Sequence, residues 1–363
     1  MEALHFTGPV LVDDDTVADQ AWSVGGRLTF EQPRHSGEIT TVGGFVVPGL
    51  VDMHCHVGLD SGGATDPELA VKQATLDRDA GTLLIRDAGS PLDTSFVHAR
   101  EDLPRLIRAA RFIARPKRYL RYYAREVEPT ELPDVAAEEA AKGDGWIKLI
   151  ADWIDRDAGD LTPLWTPEQL REALVRVHDA GARATAHTFS TEAIGPLLDA
   201  GIDCIEHGTG MTAEHMRVAA QRGVPVVPTM LQVDNFIGFA DAGAAKYPEY
   251  AARMRRMHER RYDHVRDLHD AGVILLVGTD AGGTLGHGLL PQEAVEMARA
   301  IPDAEVLAGA TWRARRFLGV DTLTEGASAD LVAYPRDPRE DISVLHEPDA
   351  VVLRGRVVAG RTA

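Results

Sequence analysis

From Val47 to Asp280, short apolar runs alternate with helical patterns, and that alternation leaves few folds open to the chain. A strand, a helix and a second strand in succession build a parallel βα unit, because the helix must carry the chain back across the sheet. Strand-like runs fall at 47–56, 82–87, 111–114, 146–150, 183–187, 203–207, 224–229 and 273–280. Helices are predicted near 66–80, 94–100, 134–142, 166–181, 191–200, 212–222, 248–271, 291–300 and 303–318. Thr65 reads as the N-cap of the first, with Glu68 three residues on. Thr166 followed by Pro167 opens the fourth, and Gly181, Gly201 and Gly223 stop three of them. Eight such units predict an α/β fold of the (β/α)8 TIM-barrel type, with functional residues at the C-terminal ends of the strands.

The ends of the chain do not continue this pattern. Residues 1–46 read as short strands with Gly and Asp turns, too few for a core of their own, and 321–363 offers further strands. The two segments are expected to form one small β-sandwich, with 47–320 as an inserted barrel. A formal charge of −18 argues against a nucleic acid or an anionic membrane surface as partner. The only cysteines, Cys55 and Cys204, each stand beside a histidine in a strand, where a buried free thiol fits better than a disulfide. The first five residues carry no basic and apolar leader, and no run approaches 18 apolar residues, so a cytoplasmic location is expected.

Polar residues at the strand ends carry the chemistry. In an extended strand His54 and His56 share a face and Cys55 takes the other, so two imidazoles converge, which suits a metal with nitrogen and oxygen ligands. Lys148 lies in strand four, His187 ends strand five, His207 ends strand six and Asp280 ends strand eight. Any one histidine alone reads equally as a satisfied core residue. Lys148 is one of five lysines against 33 arginines and is flanked by Ile147 and Leu149, where burial is costly. It either pairs with a buried carboxylate such as Asp280, or loses its proton, adds carbon dioxide and becomes a carbamate able to bridge two metals.

The stretches 48–56, 84–89, 147–149, 186–190, 205–208, 278–281 and 326–332 together resemble the amidohydrolase superfamily, in the branch of imidazolonepropionase-like hydrolases and Xaa-Pro or Xaa-Arg dipeptidases. The resemblance implies two divalent metal ions, zinc by default. It implies that His54, His56 and Asp280 hold one and His187 and His207 the other, with a carbamate on Lys148 and a hydroxide bridging them. It further implies hydrolysis of an amide-type C–N bond in a small substrate, a cyclic amide or a dipeptide-like compound, with Asp280 as general base and then acid. The rival readings are a mononuclear deaminase or imidazolonepropionase-type hydrolase, and a non-catalytic scaffold.

Several positions depart from the dipeptidase pattern. Trp165 and Phe189 stand where those enzymes carry tyrosines. The run 115–125 is basic and aromatic, and reads as a solvated face, a contact between copies in a homo-oligomer, or a lid whose Arg118 and Arg121 clamp a substrate carboxylate. His287, between glycines, reads as a substrate contact or as part of a plain loop; Trp153 reads as pocket lining or rim.

Overall fold

The computed structural model describes residues 3–360; Met1, Glu2 and the last three residues of the 321–363 segment lie outside them. Parallel strands follow one another around a barrel: Leu50–Cys55, Thr82–Asp87, Arg105–Arg108, Trp146–Ile150, Arg183–Thr188, Cys204–His207 and Val226–Val227. Strands four and five pair in register from Trp146 with Arg183 to Ile150 with His187. The eighth position holds no regular strand, but main-chain hydrogen bonds close the ring there. Leu276 N–H donates to Val226 O (3.0 Å), Met53 N–H to Val277 O (2.9 Å) and Asp280 N–H to His54 O (2.7 Å). Gly278 permits this closure: a Cβ there would stand 2.6 Å from His54 N and 2.7 Å from Val227.

Helices cover the strands as the sequence pattern requires. Pro167–Asp179 begins with Thr166 and Gln169 capping each other's main chain, and it buries Leu170, Leu174 and Val177 in the same cluster as Ile147 and Leu149 of strand four. Helix Thr191–Ala200 ends at Gly201 and Ala213–Arg222 at Gly223, both left-handed.

Other boundaries differ from the sequence reading. Asp66, not Thr65, caps Pro67–Asp79, its carboxylate accepting from Leu69 N. Strand three lies at 105–108 and is followed by a kink at Ala110 (φ 51°), with 113–114 pairing onward to strand four. Residues 95–99 form a 3₁₀ turn. The long helix at 248–271 is two, Pro248–Glu259 and Arg261–Asp270, divided at Arg260.

Strands from both ends of the chain meet in one six-stranded sheet, where Phe45–Pro48 pairs antiparallel with Leu331–Tyr334, which in turn pairs with Ala350–Leu353. A four-stranded sheet of N-terminal strands shares a buried cluster with it that includes Leu4, Phe6, Val46, Leu331 and Val352. The strand 45–48 runs directly into the first barrel strand, so this sheet fixes where the His54 and His56 strand begins. Cys55 and Cys204 are buried free thiols. Among the described residues no helix is long and apolar enough to cross a membrane.

Candidate metal centre and active site

The strand ends bring His54, His56, Lys148, His187, His207 and Asp280 into one cluster at the barrel mouth. His54 Nε2 lies 3.2 Å from His56 Nε2 and 3.0 Å from Asp280 Oδ1, and His56 Nε2 lies 3.1 Å from the same oxygen. On the other side, His207 Nε2 is 2.9 Å from His187 Nδ1. The His54 and His207 ring centres are 5.1 Å apart, so the two sides form one site.

Neighbouring groups decide which ring nitrogens carry protons. His56 Nδ1 sits 2.6 Å from the Gly89 carbonyl, which can only accept, so Nδ1 carries a proton and the lone pair of the neutral ring is on Nε2, facing the site. The Thr229 hydroxyl donates to Pro228 O (2.8 Å) and therefore accepts from His207 Nδ1 (2.6 Å), which leaves His207 Nε2 bare as well. Burial holds the His54 and His207 imidazoles well below their ordinary pKa and takes His187 down to about 3, so all three are neutral at pH 7. Burial alone would raise Asp280; the imidazoles beside it, His54 first, outweigh that when they carry a proton, and a bound cation would act in the same direction.

Lone pairs and a carboxylate oxygen packed at 3.0–3.2 Å suit a shared cation, since ligands about 2.1 Å from one metal lie roughly 3.0–3.4 Å from each other. His54 Nδ1 and His187 Nε2 are buried without a hydrogen-bond partner, the latter 3.8 Å from Asp152 Oδ1. The donor set therefore fits divalent metal ions.

The backbone is turned specially at these ends. His207 (φ 63°), Thr229 (φ 50°) and Asp280 (φ 57°) are all left-handed, which costs of order 1 kcal/mol or more each. Beneath them Asp52 accepts from His54 N (3.0 Å), Thr279 N (3.1 Å) and the Thr279 hydroxyl (2.7 Å), tying strand one to the Asp280 turn.

Lys148 is fully buried, and burial lowers its amine to about 7. Its Nζ is 3.5 Å from His54 Nε2 and contacts Glu206, so the buried carboxylate at its side is Glu206 rather than Asp280. Glu206 is also held by Arg86 Nη1 (2.8 Å) and the Thr185 hydroxyl (2.8 Å).

Residues 45–358 match the family model described as "Amidohydrolase family". The chain belongs to the amidohydrolase family. An uncharacterized protein of Mycobacterium tuberculosis is 48% identical over 355 residues, 97% of this chain and 95% of that one. The ochratoxinase of Aspergillus niger is 26% identical over 212 residues, 56% of this chain and 44% of that one. A Xaa-Pro dipeptidase with bound methionine in its active site superposes with a TM-score of 0.82 at 22% identity, covering 99% of this chain and 100% of that one. A. niger ochratoxinase superposes with 0.81 at 17% identity over 99% and 96%.

Around the amidohydrolase cluster the aromatic residues divide. Phe189 lies against the histidine cluster, 4.3 Å from the His187 ring and 4.8 Å from His207. Trp153 stands 5.6 Å from His187. Trp165 does not reach the mouth: it is buried in the core and its indole N–H is spent on Ile150 O (2.8 Å). Arg118 is no free clamp, because its guanidinium is taken up by Asp155 (3.0 Å), Trp153 O (3.1 Å) and the Thr162 hydroxyl (2.7 Å), bracing the hairpin 152–163. Arg121 is exposed and makes no contact with the cluster. His287 turns to the opposite face of strand one, with Nδ1 2.8 Å from Asp77 and 3.7 Å from Cys55 Sγ.

Sequence reasoning left Asp52, Glu206, Arg86 and Tyr119 without roles. Asp52 was within reach of it, since the alternation that pairs His54 with His56 puts Asp52 on the same face.

Proposed function

We propose that this amidohydrolase hydrolyses an amide-type C–N bond of a small substrate at a two-metal site. His54, His56 and Asp280 would hold one divalent ion, His187 and His207 the second, and a carbamate on Lys148 would join them. The observation that carries this reading is the convergence of bare imidazole nitrogens, with His56 and His207 fixed in the ligating tautomer by Gly89 and Thr229. Similarity to a dipeptidase fold and to an ochratoxinase supports an amide rather than another hydrolysable bond.

Bound divalent ions, with zinc the default for this ligand set, supply Lewis acidity and lower the pKa of water to about 7. The protein's own groups do the rest. A Lys148 amine lowered to about 7 exists partly as the free base that adds carbon dioxide. Asp280 keeps its second carboxylate oxygen out of the His54 and His56 contacts, in position to take a proton and return it to the leaving amine. Glu206 and Asp52 hold the lysine and the Asp280 turn.

One observation favours a single-metal reading: the contact of Lys148 with Glu206 is also what an unmodified, structural ion pair would make. Metal content separates the two. Wild type expressed with bicarbonate is expected to carry about two metals per chain, and Lys148→Ala one or none. One metal in both proteins assigns Lys148 to structure and moves the substrate search to deaminase and cyclic-amide reactions.

A further inference from the structure

The metal site gives no task to the aromatic part of the run 115–125. Arg118 ties this loop to the hairpin 152–163, and that attachment seats Tyr119 at the cluster. The Tyr119 ring lies 5.8 Å from His187, 4.6 Å from Trp153 and 5.7 Å from Phe112, all edge to face. With Phe189 at 4.3 Å, the rings of Tyr119, Trp153 and Phe189 wall the His187 side of the site, and Phe112 stands 5.6 Å from His56. Among the described residues, the Tyr119 hydroxyl and the Trp153 indole N–H have no hydrogen-bond partner, and neither atom is sealed from solvent. Two unpaired donors therefore stand beside the candidate ligands, while both Nη atoms of the nearby Arg118 are engaged by the hairpin.

We propose that this wall receives a flat, apolar group of the substrate next to the scissile amide, and that Tyr119 donates its phenolic hydrogen to the amide carbonyl. The proposal rests on the amide-hydrolase reading above. Edge-to-face ring contacts favour an aryl group over an alkyl group of similar size. A phenol aimed at the carbonyl oxygen strengthens its bond as charge builds there during attack. Tyr119 would then be a catalytic residue, and Trp153 would set the preference for aryl substrates.

The test is calorimetric titration of the holoprotein, with metal content measured on the same sample, using benzohydroxamate and acetohydroxamate. The two probes share a chelating group and differ in the ring. Wild type is expected to bind the aryl probe about tenfold more tightly. Trp153→Ala should bring that ratio close to one. Tyr119→Phe should weaken both probes about tenfold while keeping the ratio and the metal content. Equal affinity for the two probes in wild type, unchanged affinities in both variants, or no binding by metal-loaded protein would overturn the proposal. A protein that purifies without metal fails the metal reading instead. In that case N-phenylacetamide against N-cyclohexylacetamide, whose recognition needs no metal, makes the same comparison, and equal or absent binding overturns the aromatic wall.

Discussion

His207 is held from two directions: its Nδ1 proton is taken by Thr229, and its left-handed backbone turns the ring into the mouth. Thr229→Val removes the acceptor and keeps the shape, so the ring loses the bond that fixes its tautomer. Metal affinity is expected to fall by about 10- to 100-fold with little change in the fold, read by competition with a chelator. Asp280→Asn keeps the side-chain volume and removes the proton acceptor. Its turnover should fall by roughly 10²- to 10⁴-fold once a substrate is in hand, measured on protein whose metal content is matched to wild type.

Two connections brace the segments that follow the barrel strands. Arg118→Ala should cost about 1–3 kcal/mol of stability by denaturant titration, because several bonds to the hairpin are lost at once. It should impair substrates with and without a carboxylate alike, the opposite of what a carboxylate clamp would do. The second connection joins the loop after strand eight to helix Pro67–Asp79 through His287 and Asp77. Burial works against a charged His287, but Asp77 overcomes it and raises the imidazole above its ordinary value. A raised folded pKa means that this pair stabilises fully below the unfolded value of about 6.5 and stops doing so as pH rises through the folded value. The pH dependence of unfolding should therefore differ between wild type and Asp77→Asn in that window. Identical profiles would show that the pair contributes nothing. The sequence presented His287 only as a residue between glycines, because the partner that binds it is 210 positions away.

At the scale of the whole molecule, the proposed metal centre would draw ligands from strands one, four, five and six and from the irregular eighth position, so metal binding and folding would be coupled. A metal held at 100 times its Kd contributes about 2.7 kcal/mol to stability. Dialysis against a chelator should lower the Tm by several degrees, and readdition of zinc should restore it; an unchanged Tm would mean that the cluster holds no metal tightly. The local sequence was enough to place the strand and helix order, the facing of His54 and His56, and the polar residues that converge from the strand ends. Those follow from periods of 2 and 3.6 residues and from capping chemistry, which act over a few positions. Distances along the chain hid the rest. Glu206 stands beside Lys148 across 58 residues, Thr229 takes the His207 proton across 22, and Asp52 reaches Thr279 across 227. Trp165 and Tyr119 are both aromatic residues on loops after barrel strands, yet one is spent on a main-chain carbonyl and the other stands at the site. Local pattern gave them no distinction, because only barrel closure and the packing of the loops on its mouth decide which side chains still have an unsatisfied donor to offer.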